Sequence, residues 1–144
     1  MLYIVSALGM RAQTWTGNEV AAGDFYLYNI GTGKWLSSGN SWGTQASLVE
    51  AGGFCNTLEL SDGKYAIKNT ETRTNSKAAG PGYLGTNGFM DGESAAYFTF
   101  EVASRADGVT AYYIKNGDNN LSYSGSGTTV VFNTETGDNA QWYL

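Results

Sequence analysis

One tryptophan stands apart from every alternating run of this chain. Trp42 lies in Ser37-Ser38-Gly39-Asn40-Ser41-Trp42-Gly43-Thr44-Gln45, amid glycine and short polar residues. That grouping has a chemistry. An indole is a flat apolar platform, and Asn40, Ser41 and Gln45 can both donate and accept hydrogen bonds. A sugar ring offers the complement, a C–H face and a rim of hydroxyls, so the loop is a candidate carbohydrate contact. The same ring could instead cap the open end of a barrel, and both readings stand at this point. Two other loops carry weaker versions of the pattern, Asn87 with Phe89 and Asp91, and Asn119 with Asn120 and Tyr123. The candidate ligand-binding residues are therefore Asn40, Ser41, Trp42, Gln45, Asn87, Asp91, Asn119 and Tyr123.

Other chemistries are poorly supplied. The chain has no His, which removes a Ser-His-Asp or Cys-His couple and any histidine metal site. One Cys, Cys55, cannot make an intrachain disulfide or a cysteine-rich zinc site, and reads as a small buried apolar residue. Carboxylates are plentiful enough for a glycosidase pair, but Asp24, Asp62, Asp91, Asp107, Asp118 and Asp138 mostly sit in turns beside Gly or Asn, where such residues form the turn. Gly117-Asp118-Asn119-Asn120 lacks the spaced ligands and closing Glu of a calcium loop. The expectation is no enzyme, no cofactor and no metal. With 8 basic against 13 acidic residues, net −5, and the basic ones scattered, no phosphate-binding stripe exists and nucleic acid is not an expected partner.

The elements that must position these loops announce themselves by repetition. Tyr26-Leu27-Tyr28-Asn29 leads to Trp35-Leu36, Tyr65-Ala66-Ile67-Lys68-Asn69 to Tyr83-Leu84, and Tyr113-Ile114-Lys115-Asn116 to Asn120-Leu121. Each copy ends in a further apolar alternation, at Leu58-Glu59-Leu60, Phe98-Thr99-Phe100 and Trp142-Tyr143-Leu144. A period of roughly 40 residues marks a repeat architecture. Each repeat is expected to supply four short strands. They are Phe25–Asn29, Lys34–Ser37, Gln45–Val49 and Thr57–Leu60, then Tyr65–Asn69, Tyr83–Thr86, a weak strand near Phe89–Met90 and Tyr97–Val102, then Ala111–Asn116, Leu121–Tyr123, Thr129–Phe132 and Gln141–Leu144. With 20 Gly and a single Pro, the turns between them must use positive φ. One four-stranded unit cannot bury its apolar face or protect its edges, so three are expected to close into a barrel. Most aromatics then read as core, and Asn29, Asn69 and Asn116, at strand ends, as residues that bond turn backbone.

Three such repeats resemble a β-trefoil over residues 24–144, and Asn139-Ala140-Gln141-Trp142-Tyr143-Leu144 is similar to the Gln-x-Trp closing segment of ricin-type trefoils. The wording from Phe25 to Leu48 also resembles the N-terminal trefoil-like modules of large secreted proteins from Bacteroidetes gut bacteria. The resemblance implies an all-β, pseudo-threefold fold and non-catalytic carbohydrate binding. It does not extend to the family's galactose pattern. The residues after the second-strand Leu are Leu36-Ser37-Ser38, Leu84-Gly85-Thr86 and Leu121-Ser122-Tyr123, without the Asp that would accept from two sugar hydroxyls. The alternative function is a spacer or protein-binding module of a larger exported protein.

The ends set the context. Leu2 to Met10 is apolar without period and is followed by Arg11-Ala12-Gln13, which resembles the tail of a secretory signal peptide. A first strand of the domain is the competing reading. The run is too short to span a membrane. The expected organisation is 1–13 as a signal remnant, 14–23 as a linker and 24–144 as the domain. The chain would be secreted or at the cell surface, monomeric, and part of a longer protein, since it stops inside its last expected strand.

Overall fold

The computed structural model describes residues 17–39, 43–69, 82–106 and 108–144, with Arg105 described in its backbone only. The fold is all-β. Eleven strands appear among the described residues: β1 (Gly23–Phe25), β2 (Tyr28–Asn29), β3 (Lys34–Ser38), β4 (Ala46–Val49), β5 (Asn56–Ser61), β6 (Lys64–Asn69), β7 (Thr99–Ala106), β8 (Val109–Asn116), β9 (Asn119–Tyr123), β10 (Val130–Asn133) and β11 (Trp142–Tyr143), with one 3-10 turn at Asp138–Ala140. Every pairing is antiparallel. One sheet runs β1-β5-β6, the other β10-β9-β8-β11-β2-β3-β4 with β7 also on β8. No helix among the described residues is long and apolar enough to cross a membrane.

Local chemistry explains the strands. In β6 Ala66, Ile67 and Asn69 are buried between half-exposed neighbours, and β5 alternates buried Asn56 and Leu58 with Thr57 and Glu59. The two strands meet in a hairpin whose central residues, Asp62 and Gly63, both take positive φ, 50° and 77°. That is the pair a type I′ turn needs to match the twist of its strands. Two expectations are modified. Expected strand Phe25–Asn29 is split between β1 and β2, and expected strand Tyr83–Thr86 is reduced to single bridges from Tyr83 to Lys68 and Gly92. There the backbone is taken by a turn, with Gly85 N donating to Phe89 O at 2.9 Å and Gly88 N to Gly85 O at 3.0 Å. The expected closed barrel is therefore not a continuous ladder. Both sheets are open paths, and single bridges such as Tyr65 to Phe98 join them.

The core lies where the repeats put it. Leu27, Ile67 and Ile114 are buried, as are Leu36, Leu84 and Leu121, Leu48, Met90 and Val130, and Leu58, Phe98 and Trp142. Leu36 N donates to Leu27 O and Leu84 N to Ile67 O, each at 2.8 Å, so the phrase of the first repeat is copied in the second at backbone level. At one end of this core three segments converge. Ala46 N donates to Gly88 O, Met90 N to Thr44 O and Leu48 N to Thr128 O, at 2.9, 2.7 and 2.8 Å.

Residues 17–20, assigned from the sequence to a linker, lie against β8 and the last residue. Gly17 N and Asn18 N donate to Leu144 O, and Val20 N donates to the Tyr112 hydroxyl at 3.0 Å. Thr110 and Tyr112 donate their hydroxyls to the Glu19 carboxylate. Gly17 has φ 68°, and a Cβ there would collide with Val109.

Candidate functional site

The convergence of the first two repeats builds the best-formed candidate surface. Gln45 and Phe89 face each other in an antiparallel bridge. The bonds from Ala46 N to Gly88 O and from Met90 N to Thr44 O flank that bridge, which makes it a narrow, non-hydrogen-bonded pair. In such a pair the two side chains stand close together on one face. Met90, next along, forms a bend and points into the core with no exposed surface, and half-buried Asp91 follows it. Asp91 is oriented by Thr44, whose Oγ1 donates to Oδ2 at 2.9 Å. Gln45 and Phe89 are half-buried, and the Gln45 amide makes no hydrogen bond among the described residues. A ring and an amide thus stand side by side, with a carboxylate two residues along the chain and held by Thr44.

The other sequence candidates fall as follows. Asn40, Ser41 and Trp42 lie outside the described residues, between Gly39 and Gly43. Gly39 N donates to Gln45 O at 3.1 Å, so the two ends of that loop return to the same place. Asn87 is exposed beside the surface, but its Oδ1 accepts from Phe89 N at 3.0 Å and shapes the turn. Asn119 and Tyr123 are not brought together. Asn119 opens β9 at the hairpin tip opposite Asn116, and Tyr123 at its other end pairs with Val130 and packs on the core. Four residues of strand separate them, about 13 Å. Asn120 is buried and structural, donating to Glu135 O at 2.9 Å and accepting from Lys115. Of the strand-end asparagines, Asn29 is buried and accepts from Thr32 N as expected, and also donates to Asn139 O. Asn69 is buried against Ser38 and Met90, and Asn116 is only half-buried. Cys55 is half-buried as well.

Two aromatic groups escaped the sequence reading because they sit inside alternating runs assigned to the core. Tyr83 is on the surface. Its hydroxyl donates to Glu59 Oε1 at 2.7 Å and the Lys68 ammonium lies 5.3 Å from its ring centre. The bond to Glu59, with some burial and the carboxylate's charge, holds the phenol above its ordinary value of 10.0. Tyr26 and Tyr28 stand edge-on to Trp35 and Tyr143 stacks on Tyr28, and burial, followed by the neighbouring Tyr28 and Asp138, raises the Tyr143 phenol. The signal was present in the period-2 spacing of Tyr26 and Tyr28, since buried Leu27 between them must face the opposite way.

Among the described residues no three His, Cys, Asp or Glu side chains come together as a metal would need. Asp24 accepts from Thr57, Glu59 from Tyr83, Asp91 from Thr44, and Glu19 from both Thr110 and Tyr112. No family model, curated protein or solved structure matches the chain.

Proposed function

We propose that this chain is a non-catalytic carbohydrate-binding module of an exported protein, built as a β-trefoil and similar in plan to ricin-type lectin-like domains. The observation that carries the binding reading is the side-by-side pairing of Phe89 and Gln45, with Asp91 two residues on from the ring and held by Thr44. The ring can cover a sugar C–H face while the carboxylate and amide take hydroxyls. Three features support the trefoil. The core repeats four buried apolar positions three times. The third strands of the three repeats meet at one end. Pairings also run from β2 through β11, β8 and β7, across the Tyr65 to Phe98 bridge, to β6, β5 and β1, whose strand continues toward β2. Fold likeness alone is a weak warrant for function, so the weight rests on the side chains.

One ring face with two or three hydrogen bonds supports about 4–5 kcal/mol, a high-micromolar to millimolar constant, because each bond replaces one to water. Clustered ligand is therefore the right probe. Wild type, Asp91→Ala, Gln45→Ala and Trp42→Ala, each checked for an unchanged melting temperature, are compared on glycan-coated beads and a glycan array. Asp91→Ala should reduce retention about tenfold, the worth of hydrogen bonds to a charged group. Wild type retained on no host, plant or bacterial glycan would replace this reading with the spacer or protein-binding one.

A further inference from the structure

Three aromatic side chains fall in register across adjacent strands. Tyr143 of β11 pairs with Tyr28 of β2, and Tyr28 pairs with Trp35 of β3. Tyr28 and Tyr143 are 13° from parallel with ring centres 6.1 Å apart. Tyr28 and Tyr26 stand edge-on to Trp35 at 5.0 and 6.2 Å. This packing fixes the rings in place, so little side-chain freedom remains to be lost on binding. Tyr26 is 36% exposed and Tyr28 and Tyr143 are half-buried, so ring surface remains on the outside. Trp35 is only 3% exposed, yet its indole N–H makes no hydrogen bond among the described residues, whereas the Trp142 N–H is bonded to Leu121 O. Asn56 Oδ1 is the one buried side-chain polar atom without a partner among the described residues, so the Trp35 N–H reaches the surface, where water or a ligand can accept from it.

The shape and charge of the row narrow the ligand. Strands lie about 4.8 Å apart, so three in register make a strip about 10 Å long, wider than the pocket that seats a single protein side chain at an interface. The one ion pair beside it, Lys34 to Glu50 at 3.3 Å, is self-compensated, and Asp138 adds negative charge near Tyr143. No cation beyond that pair stands beside the row among the residues just named, so its charge favours a neutral polymer over an acidic one. We propose that the row of Tyr143, Tyr28 and Trp35, with Tyr26 at its end, is a second contact surface, specific for an extended neutral polysaccharide whose successive sugar rings lie across the strands. This rests on the carbohydrate-binding reading above but differs from it in requiring a chain of sugars.

The full chain is run in native gels cast with neutral polysaccharides (mixed-linkage β-glucan, xylan, galactomannan), with pectin as the acidic control, and short oligosaccharides are titrated separately by NMR. Tyr26→Ala, which removes an exposed ring, and Tyr143→Ala, which removes a half-buried one, should each weaken retention by the neutral polymer at least fivefold and leave oligosaccharide shifts unchanged. Tyr143→Phe should stay near wild type, because the ring face and not the hydroxyl makes the contact. Trp35→Phe, which keeps a ring and deletes the donor, should weaken retention about threefold. Tyr143→Ala retained like wild type while Asp91→Ala is lost would overturn the row and leave the first site standing. Equal losses for Tyr143→Phe and Tyr143→Ala, retention by pectin alone, or no retention by any neutral polymer would each overturn the proposal.

Discussion

Replacing Trp142 tests the core at its most concentrated point. The side chain has no exposed surface, and its Nε1 donates to Leu121 O at 2.9 Å inside the core. Trp142→Ala removes an indole from a packed interior, about 3–5 kcal/mol, and deprives a buried carbonyl of its donor, about 1 kcal/mol more. The total of about 4–6 kcal/mol is a large part of the 5–15 kcal/mol typical of a whole domain. Trp142→Phe separates the two contributions, keeping much of the ring and losing the N–H, and should cost about 1–3 kcal/mol. The corresponding positions give a ranking. Phe98→Ala, which loses the ring stacked on Phe132 at 5.1 Å but no hydrogen bond, should cost about 3–5 kcal/mol, and Leu58→Ala about 2–4. The assay is urea unfolding followed by circular dichroism, read as a shift in midpoint at constant slope. A Trp142→Ala cost below about 2 kcal/mol, or a ranking led by Leu58→Ala, would refute the assignment of these three residues to one shared core layer.

Three further outcomes are expected. Deleting residues 1–13 should change stability by no more than about 1 kcal/mol, whereas deleting 1–21 should cost about 2–3 kcal/mol more, because it removes the Gly17, Asn18, Glu19 and Val20 bonds to Leu144, Thr110 and Tyr112; differential scanning calorimetry separates the two. Asn29→Ala should cost about 2–3 kcal/mol, since it strands Asn139 O and Thr32 N together, while Asn119→Ala at the hairpin tip should stay within about 0.5 kcal/mol by the same measurement. Tyr83 keeps its proton to higher pH in the folded chain than in the unfolded one, so its stabilisation is complete below pH 10.0 and is lost as the pH rises through the raised value. Tyr83→Phe should therefore flatten the alkaline fall in stability, and an unchanged profile by pH-dependent urea unfolding would contradict the Glu59 hydrogen bond.

What was legible followed from periodicity. Leu27, Ile67 and Ile114, or Leu58, Phe98 and Trp142, recur because a buried position tolerates only side chains of similar volume and character, and that constraint writes itself into the sequence. The hairpin at Asp62-Gly63 was legible for the same reason, since positive φ at two successive residues restricts the choice. The second-repeat strand at Tyr83 was overestimated because an apolar pair reads as a strand even when Gly85 and Gly88 turn the backbone back on itself. Outward aromatics were misassigned because composition cannot say which face of a strand is covered. Tyr26 and Tyr28 differ from Leu27 only in parity. The meeting of Gln45 with Phe89, 44 residues apart in the chain, was invisible because it depends on how two repeats dock and not on either repeat alone.

That docking also explains why the candidate surface is single. Where the first and second repeats meet, the bridge pairs Gln45 with Phe89; where the first and third meet, the bridge pairs Ser47 with Thr129. Backbone geometry is matched, with Ala46 N to Gly88 O in one and Leu48 N to Thr128 O in the other, but the second junction offers no ring, amide or carboxylate. Core residues are held similar by packing, whereas the paired side chains at the two junctions, Gln45 with Phe89 and Ser47 with Thr129, differ. Two junctions with matched backbone geometry therefore carry different side chains. One weak sugar contact at that junction cannot give useful retention alone, because about 4–5 kcal/mol leaves the complex mostly dissociated at micromolar ligand. Under the two proposals above, the aromatic row supplies a second contact within the same chain, and a polymer long enough to reach both would convert two weak events into one stronger one. On that argument the preferred ligand is set by length as much as by sugar identity.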